Sequence, residues 1–233
     1  MTIIDQLNPQ QKEAVLHTEG PLLVLAGAGS GKTRVLTYRV AHLIENLEVR
    51  PENILAITFT NKAAKEMKER IYDLVGSRAE NIWISTFHST CVRILRREIE
   101  KIGFTRNFVI YDADDQLALI KDCIRELNLS EKYFDAKDMR YRIGELKDQI
   151  KSPEDYRKEV QGQYREEKIA DIYKLYQDKL VKNNALDFDD LINRTLELFY
   201  LRPDVLDYYS SKFQYILVDE YQDTNYAQYR SEE

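Results

Sequence analysis

Short apolar runs alternate with stretches of helical periodicity along the first half of the chain. The runs occur at residues 22–26, 54–59, 82–85 and 108–112, and a further one follows at 215–219. Runs of this length are typical of strands buried on both faces, as in a parallel sheet covered by helices. Between them, apolar residues recur every three or four positions. The alternation predicts βαβ units and a doubly wound α/β domain.

The pattern changes after residue 112. Helical stripes such as Leu117, Ile120 and Ile124 continue from there, and no strand-like run follows until residue 215. We therefore predict that a helical insertion, 112–184, interrupts a core formed by 1–111 and 185–233. The segment 148–163 contains proline, glycine and many charges, which predicts a loop or an exposed connection.

Composition narrows the class of protein. The chain has 233 residues, 43% of them hydrophobic and 32% charged, which indicates a folded globular protein. No apolar run approaches the roughly 18 residues of a membrane span. Cys91 and Cys123 lack metal-ligand spacing and are interpreted as core thiols in a reducing compartment, so we expect a cytoplasmic protein.

The net charge of −6 is unevenly distributed, because the first half is slightly basic and the second half strongly acidic. This balance argues against indiscriminate nucleic-acid binding. It leaves room for a local groove, since only the lining of such a groove needs to be basic.

Three of the eight glycines, at positions 27, 29 and 31, lie in the sequence AGAGSGKT at 26–33. The P-loop pattern GxxxxGK[ST] between a strand and a helix is matched, except that Ala26 replaces the first glycine. Backbone N–H groups of such a loop point at phosphate oxygens. Lys32 is expected to neutralise the β and γ phosphates, and Thr33 to ligate Mg²⁺. The alternative is an ordinary glycine-rich turn.

The sequence ILVDE at 216–220 ends the last apolar run in two carboxylates. Beside a P-loop, Asp219 is expected to hold Mg²⁺, and Glu220 to act as general base toward the attacking water. The competing interpretation at this point is a kinase-type phosphotransferase.

Aromatic and polar residues follow two other predicted strands. They are Phe59, Thr60 and Asn61 at the end of the second run, and Thr86, Phe87 and His88 after the third. Open α/β sheets bind ligands at this edge. The combination predicts stacking and phosphate contacts to a nucleic-acid strand. For each phenylalanine alone, core packing is the more common role.

Six segments together resemble superfamily 1 DNA helicases of the UvrD, PcrA and Rep type, from Leu7 to about Gln228. The segments are LNPQQ (7–11), AGAGSGKTR (26–34), ITFTNKAA (57–64), ISTFHS (84–89), LDFDDLI (186–192) and ILVDEYQDTN (216–225). The resemblance implies a RecA-like P-loop NTPase core with an incomplete parallel sheet, interrupted by an all-helical subdomain. It also implies ATP-dependent 3′–5′ DNA unwinding, with a link to DNA repair.

The resemblance implies a role for each matching residue. Gln11 would read the adenine, and Arg34 would lie near the nucleotide. The loop residues Ala28, Gly29, Ser30, Gly31, Lys32 and Thr33 would bind MgATP. Asp219 would hold Mg²⁺ and Glu220 would be the base. Single-stranded DNA, up to its junction with duplex, would follow Phe59, Thr60, Asn61, Thr86, His88 and Phe188.

The family motifs that follow Thr224, including a second RecA-like core and its arginines, have no match in this sequence. We therefore expect the N-terminal part of a longer motor, monomeric and weak or inactive in hydrolysis when isolated. Two alternatives remain: the helicase subunit of a helicase–nuclease, and a nucleotide- or DNA-binding module without turnover.

Overall fold

The computed structural model describes residues 3–232. Its helices are α1 (Pro9–Leu16), α2 (Lys32–Glu45), α3 (Asn61–Val75), α4 (Phe87–Glu98), α5 (Ala113–Glu126), α6 (Ala136–Asp148), α7 (Pro153–Glu159), α8 (Tyr164–Lys182), α9 (Phe188–Leu201), α10 (Pro203–Lys212) and α11 (Tyr226–Glu232). Its strands are β1 (Ile54–Thr58), β2 (Trp83–Thr86), β3 (Val109–Ile110), β4 (Ala185–Leu186) and β5 (Tyr215–Val218).

The larger sheet has the order β2-β1-β5, and both pairs are parallel. Leu55 in the central strand is in register with Trp83 on one side and Ile216 on the other. Every residue of β1 is buried, which explains why this strand appears in the sequence as a continuous apolar run. The predicted parallel sheet in an α/β fold is confirmed.

The strand predicted at 22–26 is wrong. This segment is irregular and exposed, and Leu25 is 86% exposed. A strand is stabilised by a hydrogen-bonded neighbour. Within residues 3–232, the three strands of the larger sheet pair only with one another, so no ladder reaches this segment.

The run at 108–112 does form a strand, but not in the larger sheet. The two-residue strand β3 pairs in parallel with β4, which the sequence reading did not predict. Val109 is in register with Ala185, and Ile110 with Leu186. A two-residue strand has too short an apolar run to be recognised by its pattern.

The contacts divide the chain into two compact units. The first, called the sheet unit below, comprises Met1–Thr90 and Leu206–Asp223, and the second, called the helical unit, comprises Cys91–Val205 and Thr224–Glu233. The boundaries between these units differ from the boundaries predicted from the sequence, which lie at 111/112 and 184/185. Those boundaries stay a prediction about subdomain organisation.

Each unit has its own hydrophobic core. In the sheet unit, α2 and α3 supply Leu43, Ile44, Met67 and Ile71 to a core that includes Ile54 of β1. In the helical unit, apolar faces of α5, α6, α7 and α8 meet around fully buried residues. They include Ile120, Cys123, Ile124, Ile172 and Leu180, each 0% exposed.

The segment 148–163 is only partly a loop. Its centre forms α7, in which Pro153 occupies the first turn and the Ser152 side chain accepts a hydrogen bond from the Asp155 backbone N–H. Proline is favourable at the first helical position, where its missing N–H costs nothing. The proline read as a loop signal is therefore a helix start.

The prediction that Cys91 and Cys123 are core thiols is confirmed, because both are buried and free. Burial raises the pKa of Cys91 to about 11, which keeps this thiol protonated near neutral pH. In the described part of the chain, no helix combines the length and apolar character needed to cross a membrane.

Candidate nucleotide-binding and nucleic-acid-binding site

The glycine loop leads directly into the amino terminus of α2. Gly29 and Gly31 have φ angles of 76° and 89°, in the left-handed region that glycine adopts without strain. A Cβ at Gly31 would lie 2.8 Å from Gln11 Nε2, so a side chain there would displace this amide group. The resulting backbone directs the positive end of α2 toward the loop, which suits a phosphate.

Lys32, the first residue of α2, bends back over this loop. Its Nζ donates to the Ala26 carbonyl at 3.1 Å and to the Gly27 carbonyl at 3.4 Å. Neutral carbonyl oxygens are weaker partners for an ammonium than charged phosphate oxygens. The lysine is thus held at the loop in a position from which it can move to a phosphate.

Thr33 and Asp219 are 186 residues apart in sequence but meet in the sheet unit. Thr33 Oγ1 donates to Asp219 Oδ2 at 3.2 Å. The Asp219 backbone N–H donates to the Ile57 carbonyl at 2.9 Å, which extends the β5–β1 ladder by one residue. A hydroxyl and a carboxylate oxygen at this separation fit adjacent ligand positions on Mg²⁺.

Burial raises the pKa of Asp219, and the hydrogen bond from Thr33 only partly offsets this effect. A cation at the site would favour the ionised carboxylate. Glu220 is exposed, and its φ of 55° is unusual for a residue other than glycine. Its Oε2 accepts a hydrogen bond from Gln222 Nε2 at 2.6 Å, so the side chain is oriented.

Gln11 lies beside the loop and closes a capping box at the start of α1. Its backbone N–H donates to Asn8 Oδ1 at 2.8 Å, and its Oε1 accepts from the Asn8 backbone N–H at 3.2 Å. Its Nε2 donates to the Ser30 carbonyl at 2.9 Å. The segment predicted to recognise the base is therefore also a helix cap, and Gln11 ties it to the glycine loop.

Two residues that were not predicted from the sequence, Gln6 and Tyr38, contact the guanidinium of Arg34. Its Nη2 donates to the Gln6 carbonyl at 3.0 Å, and its guanidinium lies 5.1 Å from the centre of the Tyr38 ring. The Tyr38 hydroxyl donates to Gln6 Oε1 at 2.8 Å. Tyr38 was detectable in principle, because residues four apart on a helix are neighbours. Gln6 carried no sequence signal.

The candidate nucleic-acid residues after β1 and β2 lie at the carboxyl ends of these parallel strands. Thr58 and Thr86 are paired at the ends of these parallel strands. Phe59 is half-buried and meets the buried Phe87 edge to face, with ring centroids 5.7 Å apart. Phe87 therefore packs in the core. Part of the Phe59 ring stays exposed, as stacking on a base would require.

Thr60 and Asn61 are exposed at the start of α3. The Thr60 hydroxyl accepts from the Ala63 backbone N–H at 3.1 Å and so caps this helix. Asn61 is the first helical residue. Both present polar groups at a helix amino terminus, where a phosphate oxygen is favoured.

Thr86 and His88 are less accessible. Thr86 is 7% exposed, and its hydroxyl accepts from the Ser89 backbone N–H at 3.2 Å. Burial lowers the pKa of His88, so the imidazole is neutral at pH 7. A neutral imidazole can donate one hydrogen bond but adds no attraction for a phosphate.

Phe188 lies in the helical unit, at the first position of α9, and is 49% exposed. The preceding Asp187 caps the helix by accepting from the Asp190 backbone N–H at 2.9 Å. The nucleotide residues and the residues after β1 and β2 are therefore in the sheet unit, whereas Phe188 belongs to the other unit.

A buried ion cluster that involves Asp187 and Asp190, the acids on either side of Phe188 in sequence, was not predicted. Lys147 Nζ of α6 lies 2.7 Å from Asp187 Oδ2 and 2.8 Å from Asp190 Oδ1, and the three residues are 1–2% exposed. Tyr176 Oη donates to Asp187 at 2.8 Å, and Gln177 Nε2 donates to Asp190 at 3.0 Å. A lysine in a charged helix resembles a surface residue in sequence, so only the fold reveals this cluster.

Comparison with known proteins shows which family the chain is similar to. The family model described as UvrD/REP helicase N-terminal domain matches residues 7–231. The chain is 56% identical to the ATP-dependent DNA helicase PcrA of Bacillus subtilis (strain 168) over 227 residues. It is 55% identical to the proteins of the same name from Staphylococcus aureus (strain Mu50) and Staphylococcus epidermidis.

These alignments cover 97% of this chain but 31% of each relative. The chain thus spans about a third of the length of the curated relatives that it matches. The family match extends over nearly all of the described residues and includes the loop, the acids and the polar strand ends. The chain therefore belongs to the UvrD/REP helicase family, in the part described as the N-terminal domain.

Proposed function

We propose that the chain binds MgATP at the glycine loop. Lys32 neutralises the terminal phosphates, Thr33 and Asp219 hold Mg²⁺, and Glu220 orients and deprotonates the attacking water. The backbone of residues 28–33 cradles the phosphates, and Gln11 and Arg34 contact the nucleoside. The observation that carries the proposal is the 3.2 Å approach of Thr33 Oγ1 to Asp219 Oδ2 at the entrance to α2.

Mg²⁺ would supply charge neutralisation at the β and γ phosphates. The chain's own residues supply the remaining functions. The raised pKa of Asp219 supports a site made to receive a cation, since burial of this carboxylate outweighs the hydrogen bond from Thr33 and the charge of Lys32. The capping box of Asn8 and Gln11 holds the base-reading side chain next to the loop.

We further propose that single-stranded DNA passes over the edge of the sheet where β1 and β2 end. Phe59 offers a partly exposed ring for stacking, and Thr60 and Asn61 offer hydrogen bonds to phosphates. Thr86 and His88 line the same edge, with Thr86 acting chiefly through the turn that it caps. Phe188 would stack on a base from the helical unit.

At the level of the whole protein, we propose the N-terminal part of an ATP-dependent 3′–5′ DNA helicase that works at junctions of single-stranded and duplex DNA in the cytoplasm, with a role in DNA repair. The names of the relatives and the family match support ATP and DNA as ligands. The helicase subunit of a helicase–nuclease shares the same motifs. The isolated chain is expected to be a monomer, which sedimentation can check.

The first test is Lys32→Ala. Removal of the ammonium should lower the affinity for MgATP at least about tenfold, because a charge-assisted contact to phosphate is worth on the order of 1.5–3 kcal/mol. Calorimetry on the parent chain and the variant measures this. Lys12→Ala, which removes another lysine of the sheet unit, is the matched control. Equal affinities in the parent and Lys32→Ala would contradict the assignment of the loop.

A measurement of ATP hydrolysis distinguishes a chain that turns over ATP from one that only binds it. ATP hydrolysis by the chain, measured with and without an oligo-dT strand, should be slow, because a catalytic arginine from a second core contributes about 10³–10⁵ in rate in related enzymes. Rapid DNA-stimulated turnover that Lys32→Ala abolishes would contradict this expectation. Nucleotide and DNA binding without turnover would agree with the binding-module alternative for the isolated chain.

A further inference from the structure

The chain crosses from the sheet unit to the helical unit directly after the candidate catalytic acids. Asp219 and Glu220 belong to the sheet unit, whereas residues 224–232 pack in the helical unit, with α11 against α6 and α9. Only a short turn lies between, in which the Asp223 backbone N–H donates to the Glu220 carbonyl at 3.0 Å. The position of Glu220 is thus connected to the helical unit through a few residues.

One side chain anchors the far end of this connection. Asn225 Nδ2 donates to Asp148 Oδ1, the last residue of α6, at 2.7 Å. The same Asn225 caps α11, because its Oδ1 accepts from the Gln228 backbone N–H at 2.8 Å while Gln228 Oε1 accepts from the Asn225 backbone N–H at 3.1 Å. The segment after Glu220 is therefore fastened to the carboxyl end of α6.

The neighbouring residue of α6 holds the candidate DNA segment. Lys147 pairs with Asp187 and Asp190, which cap and begin α9 on either side of Phe188. The Lys147 carbonyl also accepts from Asn193 Nδ2 at 3.0 Å, which adds a second tie to α9. Two consecutive residues of α6 thus hold the chain that comes from the nucleotide site and the chain that carries Phe188.

We propose that Asp148 and Lys147 couple nucleotide binding to single-stranded DNA binding, with Asn225 and Asp148 as positioning residues. Displacement of the chain after Glu220 is transmitted through the Asn225–Asp148 hydrogen bond to the end of α6, and through Lys147 to the start of α9. The inference rests on the proposed function. Neither Asn225 nor Asp148 is assigned a contact to either ligand.

The test uses one variant that breaks the bond and keeps the helix cap. Asn225→Asp retains an oxygen that accepts from the Gln228 N–H, since aspartate caps helices as well as asparagine does. It removes the donor to Asp148 and places two carboxylates together. Asp148→Asn is the matched control, because the new amide oxygen still accepts from Asn225. The two changes combined restore a hydrogen bond with donor and acceptor exchanged.

The quantity to measure is the ratio of the affinities for a fluorescein-labelled oligo-dT of about 16 nucleotides with and without Mg²⁺ and a non-hydrolysable ATP analogue. In the parent chain and in Asp148→Asn we expect a ratio that differs from one by about fivefold or more. Asn225→Asp should bring the ratio close to one, while the affinity for DNA alone and the affinity for nucleotide alone each change less than about twofold. The combined variant should restore the ratio, as coupled pairs do in a double-mutant cycle.

The outcomes are distinguishable. A ratio of one in the parent chain with both ligands bound, or an unchanged ratio in Asn225→Asp, overturns the inference and leaves the proposed function standing. A parent chain that binds neither ligand overturns the proposed function and the inference with it. Trp83 fluorescence and far-UV circular dichroism verify folding. If Asn225→Asp fails to fold, Asn225→Ser replaces it, since serine also caps helices but is too short to reach Asp148.

Discussion

At the scale of single residues, the structure shows side chains whose surroundings set their charge. Asp189 on α9 is the clearest case. Burial and the nearby Asp187 carboxylate raise the pKa of Asp189 to about 7. Its Oδ2 would lie 3.5 Å from a Cβ at Gly144, so α6 packs closely against it. Within the described residues no hydrogen bond to this carboxylate compensates its burial, and its ionised form is therefore unfavourable.

A change at Asp189 should stabilise the chain in a pH-dependent way. Because the folded pKa of about 7 exceeds the unfolded value of about 3.9, the folded state binds the extra proton between these values. The parent chain therefore loses stability as the pH rises from about 4 to 7. Asp189→Asn should raise the free energy of unfolding by on the order of 2 kcal/mol at pH 8 and by almost nothing at pH 4.

Urea unfolding at the two pH values, followed by far-UV circular dichroism, measures this difference. Asp207→Asn is the control, because Asp207 is exposed on α10. We expect that control to leave the stability unchanged at both values. A gain for Asp189→Asn that is the same at pH 4 and pH 8 would contradict the role given to ionisation.

At the scale of elements, the helical unit depends on the buried cluster between α6, α8 and α9. Burial alone would lower the pKa of Lys147, but the carboxylates of Asp187 and Asp190 raise it above its ordinary value. Burial acts to raise the pKa of Asp187, and the ammonium of Lys147 outweighs this and lowers it. Each charge is therefore tolerated in the interior only because the other is present.

Lys147→Met should destabilise the helical unit severely. The methionine fills a similar volume, but two buried carboxylates lose their partner, at a cost of about 3–5 kcal/mol. The free energy of unfolding from urea titration measures this loss.

The matched control is Lys151→Met, which breaks the pair of Lys151 with Glu159 at 2.7 Å. Those side chains are 34% and 55% exposed, so the change should cost less than about 1 kcal/mol. If both variants lose the same small amount, the buried cluster does not hold α6 to α9.

At the scale of the whole molecule, the two units have separate hydrophobic cores. The candidate nucleotide site lies in the sheet unit. The chain contains a single tryptophan, Trp83, which is buried in the sheet unit. Its ring centroid lies 5.0 Å from that of Phe213. Trp83 fluorescence therefore reports on the unit that carries the glycine loop.

MgATP should stabilise the sheet unit selectively. A ligand at about 100 times its dissociation constant adds about 2.7 kcal/mol to the unit that binds it. We expect the thermal midpoint from Trp83 fluorescence to rise with nucleotide more than the midpoint from far-UV circular dichroism, to which the helical unit contributes strongly. Lys32→Ala should abolish the rise. Equal shifts of both midpoints would contradict separate responses of the units.

Much of the candidate site was predictable because its signals are local. The loop AGAGSGKT needs glycine at positions of positive φ, and the acids directly follow the apolar run of β5, which pairs with β1. The support of Arg34 by Gln6 and the Lys147 cluster was not predictable, because these pairs are separated by 28 and by 40 or more residues. Serine and proline at the start of a helix also resemble loop signals, which explains why the segment around α7 was predicted to be a loop.

The sequence alone determined the class of fold, the position of the glycine loop, the two acids after β5 and the family, because each depends on residue types at short fixed spacing. Only the tertiary structure decided which strands pair, and hence that 22–26 has no neighbour in the larger sheet of the described chain. It also decided that β3 pairs with β4 and that Lys147 is buried among carboxylates. The physical reason is the same in each case: a hydrogen-bond ladder or a buried charge is stabilised by a partner distant in the chain, and periodicity carries no information about that partner.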